Sequence, residues 1–372
     1  LALIAWLTRR FFPGTEGSGI PQAIAALSMR RDAVRSKVLS IRVAIGKIVL
    51  TTLGLFCGAS IGREGPTVHV GAAIMYSLRR IAPIPIRGQD LMRTLILAGG
   101  AAGISAAFNT PLAGILFAIE EMSRSFEQRT SGVLIIAVVL AGITGLAILG
   151  PYTYFGSTDS ALPPSSAWLA VLICGVAGGL IGGLFASSLI FGSKRIAPLA
   201  FRYPVRVAFV CGLLITGFGF ASGGQTYGTG YLEAKALVTG EEASLLFPLW
   251  KLLATVASYL SGIPGGIFAP SLSVGAGLGA DLATLMPHVP AAAIIMLGMV
   301  GYFTGVVQTP ITAFVIVMEM TDNSGMLLPL MATALIAKGV STLVCPRPIY
   351  QALADAYLAK QETGKETKTH AT

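Results

Sequence analysis

Ionisable side chains are rare in the apolar stretches of this chain, and the few that occur are the residues able to do chemistry. Arg63 and Glu64 lie in GREGP (residues 62–66), Glu120 and Glu121 near the end of NTPLAGILFAIEEM (from Asn109), and Glu319 near the end of QTPITAFVIVMEMT (from Gln308). Lys47 and Lys251 sit inside apolar runs. A charge carried into such surroundings needs a partner, a cavity or a role.

Three short stretches suggest what that role concerns. GSGIP (17–21), GREGP and GIFAP (266–270) share the form Gly-x-x-x-Pro and run into helix-compatible sequence. Proline suits the first helical position, and the preceding glycine lets the backbone turn with little bulk, leaving unpaired N–H groups at the positive end of the helix dipole. A start of this kind attracts anions. GSGIP and GIFAP contain no Lys or Arg, so their donors are neutral, as a pathway that must release its ion requires. Ser18 adds a hydroxyl donor; serine is also a favoured helix cap, and the motif alone leaves both readings open. GMLLP (325–329) fits the same pattern and reads as a loop entering a span, so the weight rests on three copies, two of them at equivalent repeat positions.

The elements that must position these residues are membrane helices. The chain has 372 residues, 54% hydrophobic and 12% charged, against about 25% charged in soluble domains. About eight apolar stretches approach the length of a bilayer span, near residues 41–61, 94–119, 133–149, 167–191, 205–221, 245–263, 291–318 and 326–345. Glycine (45 residues) and proline interrupt many of them, which predicts broken helices. LALIAWLTRRFF reads as the tail of a span, so the chain is expected to lack its beginning. The net charge of +9 could suggest nucleic acid, but Arg30, Arg31, Arg35, Lys37 and Arg42 lie between apolar elements, as the positive-inside rule expects of a cytoplasmic loop. The four cysteines are scattered singly, no spacing suits a metal or cofactor, and neither HExxH nor GxSG occurs. An enzyme is not expected.

The chain also repeats itself. At an offset of 204 residues, KIVLTTLGLFCGASIGREGPTVHVGAA (from Lys47) lies over KLLATVASYLSGIPGGIFAPSLSVGAG; at 199, NTPLAGILFAIEEM lies over QTPITAFVIVMEMT. The halves are placed at 1–160 and 161–357, with a polar tail at 358–372. Lys47/Lys251 and Glu120/Glu319 are symmetric, which favours a structural role for them. Arg63 and Glu64 face Ile267 and Phe268, and Glu121 faces Met320, so these positions break the repeat.

With GSGIP, GREGP and GIFAP in this order, and with NTPLAGILFAIEEM and EMTDN, the chain resembles the CLC family of chloride channels and chloride/proton antiporters over essentially its whole length. The resemblance implies an all-α polytopic membrane protein of two inverted-topology repeats of tilted, broken helices. It further implies a homodimer with one pathway per subunit, in a prokaryotic inner membrane, without paired nucleotide-binding domains. The helices that precede GSGIP in the family are mostly missing here. By the same resemblance Ser18, the Tyr350 hydroxyl and the amides of Ile267 and Phe268 coordinate chloride. Glu64 gates the path: its carboxylate can mimic the anion and, once protonated, swing away; the bland alternative is pairing with Arg63. Glu121 matches the internal proton-transfer residue of the antiporters, so the expectation is chloride/proton exchange, the alternative being a passive chloride channel.

Overall fold

The computed structural model describes residues 1–29, 31–81, 89–124, 131–150, 152–162, 168–241 and 244–369; Arg30 of the basic cluster and the last three residues of the polar tail lie outside them. Proline or a polar cap sets many of the helix starts. The first half runs through α1 (Ala2–Phe11), α2 (Ile20–Ser28), α3 (Asp32–Val38), α4 (Ile41–Phe56), α5 (Glu64–Ser77), α6 (Gln89–Phe108), α7 (Pro111–Phe117) and α8 (Ser131–Leu149). Ser40 caps α4, its hydroxyl accepting from the Val43 amide at 3.2 Å. After α7 the chain widens into a π turn, Ala118–Ser123.

The second half comprises α9 (Trp168–Arg202), α10 (Pro204–Ala221), α11 (Tyr231–Val238), α12 (Phe247–Leu260), α13 (Phe268–Thr284), α14 (Ala291–Val307), α15 (Pro310–Thr321), α16 (Leu327–Val344) and α17 (Ile349–Thr369). The repeat offsets carry α4 onto α12, α5 onto α13, α6 onto α14 and α7 onto α15. Small residues line the tightest helix contacts. Gly71 of α5 meets Gly99 of α6, GAGLGA in α13 meets Gly298 of α14, and Gly178 of α9 meets Gly301, so closely that an added Cβ would strike the facing backbone.

The observed spans differ from the sequence reading at several points. Among the described residues six helices are long and apolar enough to cross a membrane. The stretch 94–119 divides at Asn109 (φ 59°) into α6 and α7, and 291–318 divides at Gln308 (φ 62°) into α14 and α15. The cause is Asn-Thr-Pro and Gln-Thr-Pro: proline donates no N–H and bars the residue before it from helical geometry. The run at 167–191 continues to Arg202 as a 35-residue helix with Pro198 inside it. The basic stretch is not simply a loop. Residues 32–38 form α3, and Arg35 is buried, its guanidinium donating to the carbonyls of Ala26 and Met29. The tail is helical as far as Thr369.

Candidate functional site

Three helix starts are tied together by their own backbones. Gly62 and Gly266 exchange a reciprocal pair of hydrogen bonds at 2.7 Å, while Gly17 N donates to Ile263 O at 3.3 Å and Gly265 N to Gly17 O at 3.1 Å. The N-termini of α2, α5 and α13 are thereby stitched into one cluster. Ser60 reinforces it, its amide donating to Ser258 Oγ at 3.0 Å and its hydroxyl lying 2.9 Å from Thr255 Oγ1. Beneath GSGIP, Lys47 Nζ donates to Thr15 O at 2.7 Å and Gly17 O at 2.8 Å. These are structural bonds, as the symmetry of the lysines suggests.

Lys251 does the same work at a place the sequence reading missed. Its Nζ donates to Thr226 O at 2.9 Å and Gly228 O at 3.0 Å, holding the loop that opens α11. GTGYL (228–232) is therefore the counterpart of GSGIP. Gly17 and Gly19 (φ 66° and 107°) correspond to Gly228 and Gly230 (φ 65° and 76°), all four in the left-handed region that glycine alone adopts freely.

The residues singled out in the sequence converge on this cluster or just behind it. Ser18, Glu64, Glu121, Ile267, Phe268 and Tyr350 are all buried, none more than 1% exposed. Gly19, not Ser18, is the N-cap of α2, and Ser18 makes no capping bond. Its hydroxyl and that of Tyr350 both lack a hydrogen-bond partner among the described residues. Gly65 packs directly on the Ser18 hydroxyl. Ile267 is the N-cap of α13 and Phe268 its first residue, so their amides belong to the orphan donors of a helix start.

Glu64 reaches across to that same start. Its Oε2 accepts from the Ala269 amide at 3.4 Å, and its Oε1 has no partner among the described residues. Arg63 turns the other way, its guanidinium 6.0 Å from the Tyr154 ring centroid. The pair does not close into a salt bridge. A cavity of about 320 Å³ lined by Arg63, Leu149, Tyr152, Tyr154 and Tyr231 adjoins this position.

Glu121 lies on the π turn after α7, and both its carboxylate oxygens lack hydrogen-bond partners among the described residues. Gln351, beside Tyr350, donates to the Glu121 carbonyl at 3.2 Å. Phe268 lies at the centre of an aromatic group with Tyr350, Phe117, Phe108 and Phe303, at centroid distances of 5.8, 5.8, 6.4 and 4.8 Å. The sequence reading named only the first two members. Phe117 and Phe303 recur in apolar helical runs, where nothing in the sequence separates them from core residues.

The neighbouring Glu120 behaves differently from Glu121. It accepts from the amides of Ile311 (3.2 Å) and Thr312 (2.7 Å) at the start of α15, while Glu319 accepts from Leu112 (3.1 Å) and Ala113 (2.7 Å) at the start of α7. Each glutamate at the end of one helix caps the beginning of the other, which makes α7 and α15 an antiparallel pair.

Comparison with known proteins follows these features. The family model described as voltage gated chloride channel matches residues 1–342. The H(+)/Cl(-) exchange transporter ClcA of Yersinia pestis is 34% identical over 392 residues, covering 99% of this chain and 78% of the relative. That of Salmonella typhi is 32% identical over 391 residues, covering 99% and 79%. Among solved structures, a slow cyanobacterial Cl-/H+ antiporter superposes with a TM-score of 0.81 at 30% identity, covering 97% of this chain and 85% of the other. A CLC-type fluoride/proton antiporter gives 0.78 at 25% identity, covering 95% and 86%.

Proposed function

The chain belongs to the voltage-gated chloride channel family, and from that premise we propose that it exchanges chloride for protons across a membrane. One observation carries the reading: the Glu64 carboxylate sits at the start of α13, taking a hydrogen bond from the Ala269 amide in the position an anion would claim. Chloride is held by the hydroxyls of Ser18 and Tyr350 and by the amides of Ile267 and Phe268, all neutral donors around one buried point. Glu64 and chloride then compete for overlapping donors. Protonation removes the carboxylate's charge and with it the attraction to the helix start, so the side chain leaves and chloride passes. Movement of one ion is thereby tied to movement of the other.

Glu121 supplies the second proton station. It is buried without a hydrogen-bond partner among the described residues, and its backbone is bonded to the residue after Tyr350. A buried carboxylate with no hydrogen-bond partner among the described residues is costly to keep inside a membrane protein, and a proton-transfer role gives it a purpose. This favours exchange over conduction, in line with the names of the relatives. The working unit is a homodimer with one pathway per subunit in the inner membrane, an assembly checked by light scattering of the purified protein.

Replacing Glu121 with Gln in reconstituted vesicles leaves chloride flux within about twofold of wild type and drives chloride-coupled proton flux to background. Proton movement that survives in Glu121→Gln removes this residue from the mechanism.

A further inference from the structure

Four helix ends meet on the surface at a cluster of arginines that has nothing to do with the buried anion site. Arg9 at the end of α1 donates to the carbonyls of Phe201 (3.0 Å) and Ala200 (2.8 Å), which close α9. Arg42 at the start of α4 donates to Phe11 O at 3.1 and 2.7 Å. These bonds join the end of α1, which also carries Arg10, to the end of α9, where Arg202 and Arg206 flank Tyr203 with their guanidinium groups 5.2 and 4.8 Å from its ring centroid. All five arginines are exposed. Lys194 and Arg195, also exposed, follow two turns back along α9.

Among the described residues no carboxylate pairs with this charge. The chain has no Asp or Glu between Asp159 and Glu233, and none of the five arginines forms an ion pair among the described residues. Self-repulsion within such a group is unfavourable, and it persists where an external anion offsets it. Positive charge at helix ends is expected on a cytoplasmic face, but that rule asks only for a bias among loops. It does not ask for arginines from four separate elements to be bonded into one place.

The aromatic residues around the cluster identify the anion. Phe201 (78% exposed), Trp6 (47%) and Phe11 (43%) stand beside the arginines, with Arg9 5.5 Å from the Phe201 ring centroid and Trp6 edge-on to Phe11 at 5.7 Å. Aromatic rings at this position mark the level of the lipid headgroups, and a dissolved phosphate has no use for them. We propose that the arginines at the junction of α1, α4, α9 and α10 bind the phosphate of an acidic phospholipid, with its acyl chains against Trp6, Phe11 and Phe201. The site is separate from the transport pathway, and its existence does not depend on the exchange reading.

Trp6 provides the probe. With Trp168 and Trp250 replaced by Phe, the full chain is placed in phosphatidylcholine vesicles containing either phosphatidylglycerol or additional phosphatidylcholine with brominated acyl chains, and quenching of Trp6 is followed. Brominated phosphatidylglycerol should reach half-quenching at a mole fraction about threefold or more below that of the brominated zwitterionic lipid. Arg10, Arg202 and Arg206 make no backbone hydrogen bond among the described residues, so their joint replacement by Gln spares the helix-end bonds of Arg9 and Arg42 and should abolish the difference. Replacement of the same three by Lys should keep most of it, and size-exclusion elution confirms that both variants are folded. Equal quenching by the two lipids, or a preference unchanged in the triple Gln variant, overturns the proposal. Relief of quenching by millimolar glycerol phosphate would assign the site to free phosphate and overturn it equally.

Discussion

Two buried hydroxyls, those of Ser18 and Tyr350, lack hydrogen-bond partners among the described residues, and the amides of Ile267 and Phe268 open a helix. The Ser18 hydroxyl is positioned by contact, because Gly65 packs directly against it. A methyl group there has no space: the added Cβ would meet Ser18 Oγ at once and Ser18 O at 3.0 Å. Gly65→Ala is therefore expected to push Ser18 out of line, at a packing cost of about 1–3 kcal/mol and a loss of about tenfold or more in chloride flux. The check is chloride flux together with the thermal midpoint of the purified variant; normal flux would mean that the Ser18 hydroxyl is not held by this contact. At this scale much was legible. Ser18, Glu64 and Glu121 stood out as a hydroxyl in a helix-start motif and as carboxylates without a counterpart in the other half. The hydroxyls of Tyr302 and Thr333, unpaired among the described residues, gave no signal, because an apolar helix conceals which of its polar atoms lack partners.

Helix ends govern the next scale. Glu120 and Glu121 are adjacent in sequence but have opposite surroundings, the first bonded to the amides of Ile311 and Thr312 and to the Thr312 hydroxyl, the second, through its carboxylate, to nothing among the described residues. Glu120→Ala should cost about 2 kcal/mol or more by leaving the start of α15 uncapped, while proton coupling of the surviving folded protein is kept. Glu121→Gln should do the reverse. Thermal midpoints and coupled flux measured on both variants decide it, and loss of coupling in a stable Glu120→Ala protein would contradict the assignment. The antiparallel crossing of α7 and α15 was only half visible in the sequence. The offset that aligns Glu120 with Glu319 shows equivalence, but reciprocal capping across the two helices is a fact of three dimensions. The breaks at Asn109 and Gln308 were readable from the following Thr-Pro, yet continuous apolar composition on both sides made each pair look like one span. The match of GTGYL with GSGIP was hidden for another reason: it lies at an offset of 211, not 204 or 199, and shares little beyond two glycines.

For the whole molecule, the membrane class, the repeat and the family were carried by composition and by three short motifs. The cluster formed by the helix starts was not, since it rests on backbone bonds such as Gly62 with Gly266 that link loops some two hundred residues apart. Those bonds make the two halves one device, with the start of α13 from one half binding the carboxylate from the other. The central claim is that this shared position exchanges a proton-carrying carboxylate with chloride. It is tested most directly by imposing a chloride gradient on vesicles containing the full chain and recording proton movement, in wild type and in Glu64→Ala. The account predicts uphill proton movement in wild type and, in the variant, chloride flux that persists with no proton movement. Chloride flux in wild type that brings the membrane to the chloride equilibrium potential with no proton movement would contradict it.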